Sequence, residues 1–239
     1  MKKEKAPGVT RYALGAAIAA PLKFVFVSDL HGCPNGPVIG AIKEAEPDAV
    51  LVGGDFVDRP GKAEAGFEFL RLAAEIRPVF VAVGNHEKRS RIDLSRVGEC
   101  GAVLLDNASV VFRDIAIGGL SSDREGPDTA FLRSFSAEER FRLLVCHHPE
   151  YYERYIRGTG IDLTVSGHVH GGQWRFFGRG VFAPGQGLFP RYTGGVYDGG
   201  RLVVGRGLGD SHPVIVRINN PPEVVVIDLY PSEKGAAAI

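Results

Sequence analysis

The chain has 239 residues and 44% apolar side chains, enough for one large core, and no repeat or low-complexity linker divides it. Lysine plus arginine and aspartate plus glutamate balance at 28 each, so the basic excess of a binder of long nucleic acid is absent. The three cysteines, Cys33, Cys100 and Cys146, are odd in number and widely spaced, which favours a reducing, cytoplasmic compartment over a disulfide scaffold.

Lys2, Lys3 and Lys5 precede an Ala-rich stretch from Tyr12 to Ala20, the outline of a short signal sequence. The stretch is too short to cross a bilayer and runs into the first strong strand with almost no spacer. It reads as a short edge strand or as the remnant of a longer membrane-proximal segment. Residues 1–20 are therefore set apart from a domain over residues 21–239.

The first strong strand is predicted over Phe24 to Val27 and leads into Asp29-Leu30-His31-Gly32, so a carboxylate and an imidazole two residues apart leave one strand end. A helix follows over Pro37 to Ala45. Ala49 to Val52 repeats the plan and ends in Gly53-Gly54-Asp55, with Asp58 three residues on. After a helix over Lys62 to Ile76, a strand over Val79 to Val83 runs into Gly84-Asn85-His86-Glu87. Next are a helix over Arg89 to Glu99, strands over Ala102 to Leu105, Ser109 to Phe112 and Ile115 to Gly118, and a helix over Glu138 to Arg142. A strand over Leu143 to Cys146 ends in His147-His148-Pro149, before a helix over Glu150 to Arg157. The run Ile161 to Val165 precedes Gly167-His168-Val169-His170-Gly171-Gly172-Gln173. Glycines around two histidines one residue apart let backbone approach a ligand, which suits metal binding better than core packing.

The remaining strands are predicted over Arg201 to Val204, Val214 to Ile218 and Val224 to Leu229. Strand and helix alternate in the first half, whereas the C-terminal third is mostly strand and turn. That combination predicts an α/β fold: a four-layer α/β/β/α sandwich of two mixed sheets flanked by helices. The glycine-rich stretch from Gly171 to Gly209 carries Phe176, Phe177, Phe182, Phe189, Tyr192 and Tyr197. These rings either line an acyl or nucleobase pocket or pack the loop against the second sheet, and loop packing is the expectation for most of them.

Each polar strand end has a bland reading by itself. Asp29 and Asp55 suit helix N-caps, Asn85 a turn, and His147 or His148 a satisfied polar group beside the core. Cys33 and Cys146 adjoin two of the motifs and read as small buried residues. Five such motifs, all at strand ends, exceed what capping and turns require.

Asp-x-His, Gly-Asp-x-x-Asp, Gly-Asn-His-Glu, a histidine before a proline, and Gly-His-x-His, in that order, resemble the calcineurin-like metallophosphoesterase superfamily, from about Phe24 to the C-terminus. Within it, Gly167 to Gln173 and Gly205-Arg206-Gly207-Leu208-Gly209 resemble a bacterial phosphodiesterase branch that includes enzymes cleaving UDP-diacylglucosamine. The resemblance implies two divalent metal ions: one held by Asp29, His31 and His170, the other by Asn85, His147 and His168, with Asp55 bridging. Carboxylate, amide and imidazole ligands suit manganese, iron or zinc better than calcium, and manganese leads. Two such ions would share a water, lower its pKa and supply a hydroxide for attack on phosphorus.

By the same resemblance His86 is catalytic, assisting the leaving group or stabilising phosphoryl charge, and Glu87 would hydrogen-bond its ring. Asp58 would orient a ligand. His147 is preferred to His148 as the ligand because the family's histidine is followed by one residue and then proline. The implied function is a dinuclear hydrolase of phosphodiester or pyrophosphate bonds in a small, nucleotide-linked or lipid-linked substrate. A phosphomonoesterase and a non-catalytic scaffold are the alternatives. Relatives often carry a membrane helix before the catalytic domain, so peripheral membrane contact stays open at this point.

Overall fold

The apolar runs that precede the polar motifs become strands buried on both faces, as parallel strands covered from two sides must be. The computed structural model describes residues 6–58, 63–209 and 217–232. In chain order its elements begin with β1 (Gly8–Ala16), β2 (Leu22–Val27), α1 (Asn35–Ala45), β3 (Ala49–Val52), α2 (Ala63–Ala74), β4 (Val79–Ala82), α3 (Asn85–Ser90), α4 (Arg96–Glu99) and β5 (Val103–Leu105). They continue with β6 (Ala108–Phe112), β7 (Ile115–Leu120), α5 (Thr129–Ser136), β8 (Phe141–Cys146), a π-helical turn Tyr152–Ile156, β9 (Leu163–Ser166) and a 3-10 turn His170–Gly172. Two short hairpins, β10 (Arg175–Phe176) with β11 (Arg179–Gly180) and β12 (Phe182–Ala183) with β13 (Gly187–Leu188), lead to β14 (Gly195–Tyr197), β15 (Leu202–Val204) and β16 (Glu223–Pro231).

One mixed sheet has the order β1-β16-β2-β3-β4-β5 and the other β14-β15-β9-β8-β7-β6. Side-chain alternation sorts their residues into layers. Phe24 and Phe26 join Leu51 and Phe80 between the sheets, against Ile117, Leu143, Val145 and Val165. Val25, Val27, Val50, Val52 and Val81 turn outward onto Ile42 of α1 and Phe67 and Leu70 of α2. On the far side, Leu120, Leu144 and Val204 are covered by Leu132 and Phe135 of α5 and by Tyr152 and Ile156. The protein is thus the α/β/β/α sandwich that its element order predicts. β1 pairs in parallel with β16 from Gly8 to Ala16 at the edge of the first sheet. No helix among the described residues is long and apolar enough to cross a membrane.

Two predicted helices differ. The expected helix over Arg89 to Glu99 is broken into α3 and α4, because Arg91 adopts left-handed backbone (φ 51°) and Asp93 turns the chain by accepting from Ser95 N–H and Oγ–H. No helix forms over Glu138 to Arg142. Phe141 and Arg142 instead pair with Ile115 and Ala116 in β8, and the helix lies upstream as α5, capped by Asp128, which accepts from Ala130 and Phe131 N–H at 2.9 Å. Of the strand expected over Val214 to Ile218, residues 214–216 lie outside the described residues, and Ile218 makes a single bridge to Trp174.

Candidate metal centre

β2, β3 and β4 run parallel in one sheet and β8 and β9 in the other. The five polar motifs are the loops leaving the carboxyl ends of these strands, the usual place for a ligand on an open parallel sheet. Five of their residues hold left-handed backbone: Asp29 (φ 53°), His31 (44°), Asp55 (51°), His168 (70°) and His170 (44°). Such conformations are uncommon outside glycine and cost about 1–3 kcal/mol each. Cross-loop hydrogen bonds hold them: Asp29 N–H donates to the Gly54 carbonyl at 3.0 Å, His31 N–H to that of Asp55 at 3.3 Å, and Gly209 N–H to that of Asp29 at 2.6 Å. Two glycines allow the close approach. A Cβ on Gly84 would stand 2.2 Å from Asp55 Oδ1, and one on Gly167 2.7 Å from Asp29 Oδ2.

Among the described residues the side chains meet in four groups, two of which carry the expected ligands. Ligand atoms of Asp29, His31 and His170 lie within 4.8 Å of one another, and so do those of Asp55, His147 and His168. In the first, His170 Nε2 is 3.4 Å from Asp29 Oδ1, and the His31 and His170 rings stack at 5.1 Å. In the second, His147 Nε2 is 3.2 Å from both Asp55 Oδ2 and His168 Nδ1. His147 Nδ1 lies 2.7 Å from the Gly53 carbonyl and donates to it, which aims Nε2 at the group. His148 lies beside the second group, its ring 4.2 Å from that of His168 and its Nδ1 3.1 Å from Glu150 Oε1, and it forms a further candidate group with Glu150 and His168. Asn85 starts α3, and its Oδ1 is buried without a hydrogen-bond partner, as is His31 Nε2.

His86 stands at the rim with a quarter of its side chain exposed, Nε2 3.9 Å from Asp55 Oδ2 and Nδ1 2.9 Å from the Asp58 carbonyl. The Asp58 carboxylate is 3.9 Å from His31 Nδ1. Glu87 differs from expectation, since its carboxylate is not what the His86 ring bonds. Fully buried, it accepts from Asp55 and Gly84 N–H through Oε2 and from Val57 N–H through Oε1, all at 2.9 Å. At the third position of α3 it reaches back to the helix start, where amides point outward without helical partners.

Burial and mutual charge set the ionisation. Burial works against a charged Asp55, but His147 above all holds it far below the usual carboxylate range. Burial also works against a charged His147, yet Asp55 raises it to about 10. Burial lowers His170 to about 4, and it lowers His31 and His168 as well, so these three stay neutral near pH 7, as ligands must be. Burial and the Asp55 carboxylate push the Glu87 carboxyl up to about 8 against the amides that favour its charge.

Several contributors were not legible in the sequence. Ser28 Oγ donates to Asp29 Oδ2 at 2.6 Å, and Asn220 Nδ2 donates to the His170 carbonyl at 2.7 Å. Arg217 Nη2 lies 3.1 Å from His170 Nδ1. Ser28, directly before Asp29, and Glu150, directly after His147-His148-Pro149, had a positional signal; Arg217 and Asn220 come from a segment distant in sequence. Among the late aromatic rings, Tyr192 packs under the second sheet and Tyr197 is half-buried, whereas Phe176, Phe177, Phe182 and Phe189 are exposed, so loop packing holds only for the tyrosines.

Comparison with known proteins agrees with this arrangement. The chain is 31% identical over 234 residues to phosphodiesterase YaeI of Escherichia coli (strain K12), covering 88% of this chain and 83% of the relative. It is 29% identical over 225 residues to the uncharacterized protein YpbG of Bacillus subtilis (strain 168), covering 87% and 81%. The crystal structure of phosphopantetheinyl hydrolase (PptH) from Mycobacterium tuberculosis superposes on 63% of this chain and 84% of that one, with a TM-score of 0.45 at 15% identity. The calcineurin-like phosphoesterase family model matches residues 22–172, well over half of the chain and a span that includes Asp29 through His170. The protein therefore belongs to the calcineurin-like phosphoesterase family and is a metal-dependent phosphoester hydrolase.

Proposed function

We propose that the enzyme hydrolyses phosphodiester or pyrophosphate bonds in small nucleotide-linked or lipid-linked molecules, using two divalent ions, manganese foremost, on either side of Asp55. One observation carries this reading: a single carboxylate oxygen, Asp55 Oδ2, lies 3.2 Å from His147 Nε2 and 3.8 Å from His31 Nε2, between the two ligand groups. Asp29, His31 and His170 then hold one ion and Asn85, His147 and His168 the other. The residues fit. His31 Nε2 and Asn85 Oδ1 are buried without partners, a cost of about 1–3 kcal/mol each that a cation removes. Mixed oxygen and imidazole donors without thiolate suit manganese, iron or zinc. The ions, when bound, supply positive charge beside the phosphoryl oxygens and a water of lowered pKa.

The chain's own residues do the rest. Donation from Nδ1 to the Asp58 carbonyl would fix the His86 ring with Nε2 toward the site, where the ring would pass a proton to the leaving oxygen. Asp58 thereby positions His86 through its backbone and His31 through its carboxylate. The named activity of YaeI supports the diester reading over the monoester one. Three free thiols support a cytoplasmic location.

Metal analysis with a substrate panel tests the proposal. Purified enzyme should hold close to two divalent metals per chain and turn over a bis-aryl phosphodiester, a nucleotide diphosphate sugar or UDP-diacylglucosamine faster than an aryl monophosphate. Asp55→Ala should lose most of both metals. A full metal complement in Asp55→Ala overturns the shared-carboxylate reading, and preference for the monophosphate overturns the diester reading.

A further inference from the structure

From Gly171 to Tyr197 the chain has three arginines and no aspartate or glutamate. This acid-free segment builds the two short hairpins, and backbone hydrogen bonds join them into one platform. Val181 N–H donates to the Trp174 carbonyl at 2.9 Å, and Phe189 N–H donates to the Val181 carbonyl at 2.8 Å. Trp174, Phe176, Phe177, Phe182, Leu188 and Phe189 are all exposed on it, and Ile218, bridged to Trp174, adds to the same face. Phe177 is fully exposed and Phe189 is 82% exposed, and both hold left-handed backbone at φ 51°. A bulky ring at positive φ is strained, and left in water it gains no burial energy in return.

The arginines complete the pattern. Arg179 is exposed and unpaired among the described residues. Arg191 is 63% exposed and touches Glu153 at 3.1 Å. Together with Phe189 and Tyr197 they line a cleft of about 470 Å³. Exposed rings interleaved with arginine, on a segment that itself has no acidic residue and leaves Arg179 without a carboxylate partner among the described residues, match the apolar and negatively charged layers of an anionic lipid surface. A protein partner needs a broad close-packed face, whereas Phe177 stands on the β10–β11 turn with nothing beside it.

We propose that this double hairpin docks the enzyme on anionic lipid bilayers. The platform is tied to the metal centre at two points. It grows directly from the turn that carries His170, with Val181 N–H reaching the Gly172 carbonyl at 3.2 Å. Its second turn also abuts Glu150, whose Oε1 would lie 2.2 Å from a Cβ on Gly185. Docking therefore sets the mouth of the site at the level of the lipid headgroups.

Sedimentation with vesicles tests this without any turnover, so this inference and the catalytic reading fail separately. The full chain should pellet with vesicles of phosphatidylcholine and phosphatidylglycerol in equal parts, and only weakly with phosphatidylcholine alone. Phe177→Ser combined with Phe189→Ser should weaken binding by about tenfold or more. Arg179→Gln should weaken it about fivefold. Both variants should keep the parent's circular dichroism spectrum and metal content, since neither position touches the metal centre. Three outcomes overturn the proposal: no pelleting with either lipid, undiminished pelleting of the double phenylalanine variant, or a dimer in sedimentation velocity that the same substitutions abolish, which would make the face a contact between two copies.

Discussion

Glu87 illustrates how a residue can be found by its motif and misread by it. Its position after Asn85-His86 marks it in the sequence, but its three hydrogen bonds go to amides of Gly84, Asp55 and Val57, and backbone partners leave no sequence signal. Removing a carboxylate that satisfies three buried N–H groups should cost roughly 3 kcal/mol or more. Glu87→Ala is therefore expected to lower the urea midpoint strongly, with Glu87→Gln intermediate. Unchanged stability with lost activity would restore a direct role toward His86. The adjacent histidines separate in the same way. His147 reaches Asp55, whereas His148 reaches Glu150, although both rings pack against that of His168. His147→Ala should lose metal, whereas His148→Ala keeps it; the reverse result in metal analysis would move the ligand by one residue. His86→Ala should keep both metals and lose far more activity on substrates with poor leaving groups than on activated aryl esters. Equal losses would mean that it stabilises phosphoryl charge.

Elements were legible where one periodicity dominated. β3 appears over Ala49–Val52 as predicted, because four consecutive apolar residues between Pro47-Asp48 and Gly53-Gly54 suit a short strand buried on both faces. Legibility failed where a local hydrogen bond competed with periodicity. Arg91 and Asp93 split one expected helix, and Asp128 starts α5 where no helix was predicted. The cap is also a test of how far α5 is from the chemistry. Asp128→Ala leaves Ala130 and Phe131 N–H without their acceptor and should cost about 1 kcal/mol in thermal denaturation. Because Leu132 and Phe135 pack on the outer face of the second sheet, away from the strand ends, turnover and metal content should not change. The left-handed backbone at Asp29, His31, Asp55, His168 and His170 was illegible for a different reason: it is imposed by loops from both sheets pressing together, and no single motif encodes it.

Folding the two sheets onto one core brings carboxylates and imidazoles from distant segments into shared burial, and this makes the stability of the whole molecule depend on pH. Burial lowers His170 to about 4. As pH falls below the ordinary histidine value, the unfolded chain takes up a proton that the folded chain refuses, so His170 alone removes roughly 3 kcal/mol between pH 6.5 and 4. Asp29 is held below its ordinary value because His170 and His147 outweigh burial, and it adds a loss at still lower pH. His147 acts in the opposite direction. Raised to about 10 by Asp55 against burial, it contributes fully below the ordinary histidine value and loses that contribution as pH rises toward 10. Glu87, raised to about 8 by burial and Asp55, likewise loses its contribution as pH rises from the ordinary carboxylate value toward 8, so metal-free protein should lose stability toward both ends of the range from pH 4 to 10. Divalent ions held as proposed would change the alkaline side: they would take the place of the proton between His147 and Asp55 and need neutral imidazoles, so their benefit would grow as protons leave. Melting temperatures of chelated and manganese-loaded protein from pH 4 to 10 should coincide at the acid end and separate progressively above pH 6.5. A separation that does not vary with pH would mean that the ions bind away from the histidines.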